Sequence, residues 1–198
     1  MLLVVHPNLP VRTVRDLERL ARARPGALNF ATVGPGSPAR LMMELFKLAA
    51  HVDVTMVPYK SAALALTDLV AGEVDAMFAG ISSAGAYAKS GRLRALAVTS
   101  PAPSALAPGI ATMAASYPGF RTEVWAGLLA PAKTPPEIIA RLNAEIVRIL
   151  AQPDMKARLT DSGLEPAGGT PAQFDQWIRG EIERWGKVIR ARNITLDP

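Results

Sequence analysis

Strand-like and helix-like segments alternate along the first half of this chain, and this alternation constrains the fold more than any other feature of the sequence. Apolar residues at helical spacing between Val14 and Ala21 end at Pro25-Gly26, and the short apolar segment 28–33 follows them. The alternation continues to residue 99. Because connections of this kind are right-handed crossovers between parallel strands, the pattern predicts an α/β fold with a mainly parallel sheet.

The predicted elements extend over most of the chain. Strands are expected at residues 1–5, 28–33, 52–57, 74–78, 93–99 and 122–130. Helices are expected from residue 14 to Pro25, from Ser37 through 48, and at 61–71, 83–89, 135–151, 153–162 and 171 to about 192. The buried side of the helix after Ser37 is expected to carry Leu41, Met42, Leu45, Phe46 and Leu48. Residues 101–119, rich in Pro, Ala and Gly, are expected to form a long connector.

The composition excludes several classes of chemistry. With no cysteine in 198 residues, thiol catalysis, disulfides and cysteine-ligated metal sites are ruled out. The two histidines, His6 and His51, leave little room for a histidine-rich metal centre. No acid, base and nucleophile converge at the predicted strand ends, so the residues do not argue for catalysis.

The charge pattern does not indicate nucleic-acid binding, although the net charge is +5. The basic stretches 12–24 and 179–192 contain acidic residues at helical spacing, which is typical of solvated helix faces. The longest uncharged stretch, 95–120, contains four prolines and does not predict a membrane-spanning helix. The apolar start, Met1 to Val5, is too short for a signal peptide, so none is expected within the chain.

Some predicted helices have starts that satisfy their own backbone groups. Thr134-Pro-Pro-Glu137 and Thr170-Pro-Ala-Gln173 match the capping box, and Thr13-Val-Arg-Asp16 is a weaker relative of it. We expect these helix ends to be structural.

Other helices follow strands and have no acid in the first turn. They start at Ser37, at Ser61 and at Ser82 or Ser83. An uncapped first turn presents N–H groups and the positive end of the helix dipole, which favour an anion. In a parallel sheet such starts lie at the carboxyl edge of the strands, where open α/β folds bind ligands. These starts therefore predict an anion site.

The loop from Thr32 to Ser37 is the strongest single candidate for ligand contact. Gly34 and Gly36 let the backbone approach a ligand closely, and Thr32 and Ser37 supply hydroxyl groups. A tight strand-to-helix turn with an ordinary serine cap explains the same residues equally well. The loop matches neither a dinucleotide-binding fingerprint nor a P-loop. Lys60 is a further candidate near the same edge, with a solvated lysine as the alternative.

Several segments occur in an order that resembles one protein family. They are Leu3–Pro7, Asn29–Pro38, Val57–Lys60, Gly72–Phe78, Gly91–Val98, Trp125–Pro131 and Leu142–Glu145. Together they are similar to the substrate-binding proteins of tripartite tricarboxylate transporters, the TctC or Bug family of periplasmic receptors. The resemblance extends from Leu2 to the end of the chain.

The resemblance implies a type II periplasmic-binding-protein fold with no enzymatic activity and no cofactor or metal. It implies that a small organic carboxylate binds in the cleft between two lobes and is delivered, in the periplasm, to the membrane permease subunits of a transporter. No nucleic-acid partner is implied. By position, the ligand-binding residues are expected to be Thr32, Gly34, Gly36, Ser37, Tyr59, Lys60, Ser61, Ala79, Ser82 and Ser83.

The resemblance also implies how the chain divides. Residues 8–122 are expected to form one complete parallel-sheet lobe, and residues 1–7 with 123–198 the C-terminal part of an incomplete first lobe. Because family members begin with an export signal and most of that first lobe, the chain is interpreted as truncated. Uncovered apolar helix faces would then favour a homodimer.

Two positions change the charge expected from the family pattern. Arg40 stands where histidine is frequent, and Ala79 where aspartate is frequent. Together they predict a purely anionic ligand rather than an amino acid. Two alternatives stay open at this point. One is an effector-sensing domain like that of LysR-type regulators, and the other is a remnant that binds no ligand and self-associates.

Overall fold

The structure is a computed structural model of the chain, and it describes residues 1–34 and 36–194. The strands are β1 (Leu2–Val5), β2 (Asn29–Val33), β3 (Thr55–Tyr59), β4 (Ala76–Ala79) and β5 (Arg94–Val98). The helices are α1 (Val14–Ala23), α2 (Pro38–Ala50), α3 (Ala62–Ala71), α4 (Ile81–Lys89), α5 (Met113–Ser116), α6 (Pro136–Leu150), α7 (Pro153–Asp161) and α8 (Pro171–Ala191). Two compact units result: a first unit of Met1–Val124 with the described residues from Arg192, and a second unit of Trp125–Ala191.

The first unit is built on one five-stranded sheet with the order β3-β2-β4-β1-β5. β2 pairs in parallel with both β3 and β4, whereas β1 lies antiparallel between β4 and β5. The expected α/β fold with a parallel-rich sheet is therefore confirmed.

Helices cover both faces of this sheet, because its central strands are apolar on both sides. On one face, α1 and α2 pack against Leu3, Phe30 and Phe78. On the other face, α3 and α4 pack against Leu2 and Met77. Neighbouring residues of β1 thus belong to different cores, as the two-residue period of a strand requires.

The position of β1 corrects one expected boundary. Residues 1–7 are expected from the sequence to belong to the same lobe as 123–198, but Leu2–Val5 lies inside the sheet whose other strands come from residues 8–122. An all-apolar strand indicates that both of its faces are buried, and it carries no information on which sheet buries them. The assignment of residues 123–198 to an incomplete lobe stays a prediction.

Two local expectations are also wrong, and one is refined. Residues 122–130 form no strand, because alternating polarity favours extended backbone but a strand also requires a neighbour to pair with. The expected connector at 101–119 is present and contains the short helix α5. Leu48, expected on the buried side of α2, is 37% exposed, and Met43 is fully buried instead.

Two of the three predicted capping boxes are present in the structure and one is not. Thr13 with Asp16 and Thr170 with Gln173 exchange both hydrogen bonds of the box, which confirms those two predictions. The box at Thr134 is wrong, because α6 starts one residue later with Pro135 as its N-cap and has no side-chain cap.

The second unit is helical and contains α6, α7 and α8. Trp125, Phe174 and Trp177 form an aromatic cluster, with the two indole rings perpendicular at 4.7 Å between centroids. In the chain that the structure describes, no helix combines the length and the apolar character needed to cross a bilayer.

Candidate functional site

Three parallel strands end at the same level on one edge of the sheet. Val33, the last residue of β2, pairs with Tyr59, the last residue of β3. On its other side β2 pairs Ala31 with Met77, so that Val33 lies level with Ala79, the last residue of β4. Because neighbouring strands are about 4.8 Å apart, the three strand ends lie within roughly 10 Å of one another. We call this the carboxyl edge.

A helix begins just beyond each of these strand ends. The N-cap residues are Ser37 for α2, Ser61 for α3 and Gly80 for α4. None of the three helices has an acidic residue in its first turn. The positive ends of three helix dipoles therefore lie at the carboxyl edge without a carboxylate of their own.

Two of these helix starts are capped, which confirms a serine cap at Ser37 and corrects the expectation of an uncapped first turn at Ser61. Ser37 Oγ accepts a hydrogen bond from Arg40 N at 3.2 Å, and Ser61 Oγ accepts one from Leu64 N at 3.3 Å. Each serine therefore satisfies one N–H of its own helix, in the usual manner of an N-cap. A serine hydroxyl keeps its donor and can still donate to a ligand oxygen.

The start of α4 is the most open of the three. The helix begins at Ile81, earlier than the expected Ser83, and its N-cap is Gly80, which has no side chain to accept a hydrogen bond. Ser82 and Ser83 are exposed in the first turn. Ser83 Oγ donates to Gly80 O at 3.1 Å, whereas the backbone N–H groups of the turn have no side-chain cap. This turn can donate several N–H groups to an anion.

The segment Tyr59-Lys60-Ser61 lies at the carboxyl edge, but its side chains differ in availability. The Tyr59 hydroxyl donates to Asp68 Oδ2 at 2.8 Å on α3. Burial, followed by the hydrogen bond to Asp68 and its charge, raises the pKa of Tyr59 above the ordinary value. Lys60 is exposed at the end of β3. The lysine side chain is therefore accessible, whereas the tyrosine hydroxyl is already hydrogen-bonded to Asp68.

The loop between β2 and α2 retains two of the expected features. Gly34 has a positive φ of 40°, a conformation that glycine adopts without strain, and Gly36 is exposed. Thr32 is buried within β2 with 3% of its surface exposed. Ala79, at the end of β4, is also buried, so its contribution at the edge is limited to its backbone.

Sequence reasoning missed one residue near this edge. Thr122 donates its backbone N–H to Thr99 O at 2.9 Å, just past the end of β5. Its hydroxyl Oγ1 is buried and has no hydrogen-bond partner within residues 1–34 and 36–194. No signal in the sequence indicated Thr122, because residues 122–130 were expected to form a strand of their own.

No grouping of acidic or histidine side chains suited to a metal ion occurs in the described ranges. The chemistry of the carboxyl edge is therefore that of backbone N–H groups, hydroxyls and cationic side chains. Such a set is chemically suited to hold an anion by hydrogen bonds.

Comparison with known proteins agrees with this chemistry. The family model of the tripartite tricarboxylate transporter family receptor, TctC, matches residues 1–194. Protein BugT of Bordetella pertussis (strain Tohama I) is 36% identical over 197 residues, which are 99% of this chain and 60% of that protein.

Two similar solved structures contain a bound carboxylate. "R. palustris Rpa4515 with adipate" has a TM-score of 0.85 and 35% identity over 98% of this chain and 65% of that chain. MatC from Rhodopseudomonas palustris with bound malate has a TM-score of 0.77 and 33% identity over 95% of this chain and 65% of that chain.

The chain thus spans about three fifths of the length of BugT and 65% of each of the two solved chains. The matching family is one of receptors, not of enzymes, and it does not support the alternative of a LysR-type regulator. By the match over residues 1–194, this chain belongs to the TctC family of tripartite tricarboxylate transporter receptors.

Proposed function

We propose that this chain binds a small organic acid as part of a solute-binding receptor, with one carboxylate of the ligand held at the carboxyl edge. The observation that carries the proposal is the alignment of three helix starts, at Ser37, Ser61 and Gly80, without an acid in any first turn. The open turn of α4 supplies N–H donors, and Lys60 supplies a positive charge.

The bound molecules of the similar structures support the same class of ligand. Adipate and malate, named in the two solved structures, are both dicarboxylates. A carboxylate accepts several hydrogen bonds in one plane, which suits a set of converging N–H and hydroxyl donors. The proposed ligand is therefore an organic acid with at least one ionised carboxylate.

The proposal extends to the ten residues expected to contact the ligand. Ser82, Ser83 and the backbone of Gly34 and Gly36 are exposed at the edge and can donate directly. Lys60 would supply a positive charge. The remaining residues of the ten would contact the ligand through the backbone or a hydroxyl group; they are Thr32, Ser37, Tyr59, Ser61 and Ala79. Tyr59 requires the largest rearrangement, because its hydroxyl would have to leave Asp68.

The proposal also includes the setting of the receptor. The ligand would be enclosed between this edge and a second lobe. The ligand-bound receptor would then deliver it, in the periplasm, to the permease subunits of a tripartite tricarboxylate transporter. Membership of the tripartite tricarboxylate transporter receptor family supports this setting.

Calorimetry and thermal unfolding of the 198-residue chain test the proposal. Adipate and malate are titrated beside adipamide, which has the chain length of adipate and no charge. We expect saturable binding of the acids and none of the diamide. A ligand at 100 times its Kd should stabilise the folded state by about 2.7 kcal/mol. An unchanged melting temperature across a panel of mono- and dicarboxylates would contradict the proposal.

A second candidate is self-association through the second unit. Leu128, Leu129 and Ile182 are 74%, 78% and 68% exposed. On α6, Ile138, Leu142 and Ile149 are exposed at spacings of four and seven residues, which place them on one face and suit packing against the same helix of a second copy.

Sedimentation of the wild type beside Leu142→Lys tests this candidate, with Ala140→Lys, exposed on the other side of α6, as the matched control. We expect a dimer that Leu142→Lys dissociates and Ala140→Lys leaves intact. A monomeric wild type at all concentrations, or equal dissociation by both variants, would exclude this face as the interface.

A further inference from the structure

Arg40 is the cationic side chain that belongs to a helix start at the carboxyl edge. It is the third residue of α2, and its backbone N–H donates to the N-cap Ser37. Side chains on a helix lean toward its N-terminus. The Arg40 side chain therefore leans toward the loop that connects β2 to α2, where the ligand carboxylate is proposed to bind.

The guanidinium of Arg40 has no partner in the part of the chain that the structure describes. Its Nε is buried and lacks a hydrogen-bond acceptor there. A buried donor is normally paired, because an unpaired one has lost its hydration without compensation. Arg40 as a whole is half-buried, so this applies to its Nε. The arginine also adds its charge to the positive end of the α2 dipole, and the first turn contains no acid to neutralise either.

The acidic residue one turn along α2 from Arg40 is already engaged. Glu44 lies one turn further along α2, at the spacing suited to an ion pair with Arg40. It binds Arg192 instead, with Arg192 Nε 2.8 Å from Glu44 Oε2.

We propose that Arg40 determines the charge specificity of the site, by binding a ligand carboxylate and disfavouring ligands that carry an ammonium group. The proposal rests on the carboxylate-binding function above and makes it specific. An arginine binds a carboxylate through two parallel hydrogen bonds. An ammonium group near Arg40 would meet a like charge, and the first turns of α2, α3 and α4 offer it no acidic partner.

Malate and aspartate test this specificity, because they differ only in a hydroxyl in place of an ammonium. We expect the wild type to bind malate at least about tenfold more tightly than aspartate. Arg40→Gln should weaken malate binding by about tenfold or more, and should reduce the ratio of the two affinities. Arg40→Lys, which keeps the charge and loses the planar fork, should retain most of the ratio with weaker malate binding.

The matched control is Arg24→Gln, which removes the same charge from an exposed residue at the C-terminal end of α1. It should leave both affinities unchanged. Circular dichroism of each variant establishes that it is folded. Unchanged malate affinity and an unchanged ratio in Arg40→Gln overturn the Arg40 proposal alone, as does tighter binding of aspartate by the wild type. Absence of any carboxylate binding by the wild type overturns the proposed function, and the Arg40 proposal with it.

Discussion

The Tyr117 hydroxyl donates a 2.8 Å hydrogen bond to Glu18 Oε2 and joins α1 to the residue after α5 across 99 positions of sequence. Both residues are buried, with 8% of Glu18 and 7% of Tyr117 exposed. Arg15 and Arg22 approach the same carboxylate at 2.6 and 2.8 Å. The carboxylate of Glu18 is thus buried but fully paired, which is the arrangement that makes a buried charge tolerable.

The first prediction removes the hydroxyl of this pair. Tyr117→Phe should lower the free energy of unfolding by about 2 kcal/mol, because a hydrogen bond to a buried charged group is lost while the ring remains packed. Urea unfolding followed by far-UV circular dichroism measures the change. Fluorescence is unsuitable, because all three tryptophans lie in the second unit.

Tyr87→Phe is the control for this measurement. Tyr87 is half-buried, and its ring lies under Arg92 with no hydrogen bond from its hydroxyl in the described residues. Its variant should change the free energy of unfolding by less than about 0.5 kcal/mol. Equal effects of the two substitutions would show that the Glu18 hydrogen bond contributes nothing of its own.

The second prediction concerns acid. Burial alone would raise the pKa of Glu18, but the hydrogen bonds from Tyr117 and Arg15 and the charges of Arg15 and Arg22 hold it below its usual value. A carboxyl group whose pKa is lower in the folded than in the unfolded protein stabilises the fold at pH values above its pKa in the unfolded protein, which is about 4.3. This contribution is lost as the pH falls. The difference in unfolding free energy between wild type and Glu18→Gln should therefore be constant above about pH 5 and shrink below about pH 4.

Comparison of the wild type with Glu18→Gln separates the titration of Glu18 from that of the other carboxyl groups. Hydrogen bonds from the backbone of Arg12 and the side chain of Arg19 lower the pKa of Asp16 to about 2, and this group loses its contribution in the same direction. Asp16 is present in both proteins, so its effect cancels. A difference that grows toward acid would contradict the lowered pKa of Glu18.

Much of the fold follows from the sequence because local and tertiary preferences agree over residues 13–99. Pro38 with Ser37 and Gly72 after α3 mark helix ends where the structure has them. The position of β1 did not follow, because its partners in β4 and β5 are 71 to 96 residues away in sequence. A strand pattern specifies burial rather than pairing.

The candidate site was predictable in its backbone and less so in its side chains. The strand and helix pattern places the helix starts at Ser37 and Ser61 on one edge, since parallel register aligns the strand ends. The start of α4 is at Gly80 rather than at the expected Ser82 or Ser83. The engagement of Tyr59 with Asp68 and of Glu44 with Arg192 depends on which side chains meet across elements. Only the folded structure shows such pairings, and they decide which charges remain for a ligand.

The third prediction concerns the second unit. A side chain at Gly127 would overlap the ring of Phe174, which packs on Trp125 and Trp177. Gly127→Ala should destabilise this unit by about 1–3 kcal/mol, because the ring has to shift. Tryptophan fluorescence in urea reports it directly, since the unit contains all the tryptophans.

Gly180→Ala is the matched control for the glycine substitution. Gly180 lies within α8, and a Cβ there meets no atom within 4 Å. The control should stabilise the unit by about 0.5–1 kcal/mol, because alanine loses less backbone entropy in a helix. If Gly127→Ala were as stable as Gly180→Ala, the packing of Phe174 on Gly127 would carry no weight in the fold.

The last prediction separates stability from binding at the carboxyl edge. Gly80→Asp supplies the side-chain cap that α4 lacks, so it should leave the melting temperature unchanged or slightly higher. The same carboxylate occupies the N–H groups that the ligand would use and repels a ligand anion. Affinity for malate or adipate should therefore fall by at least about tenfold in calorimetry.

Gly80→Ser is the matched control, because it adds the same Cβ, 3.3 Å from Ser83 Oγ, without the charge. This variant should keep most of the affinity. Equal losses in both variants would mean that space, rather than charge, governs binding at α4.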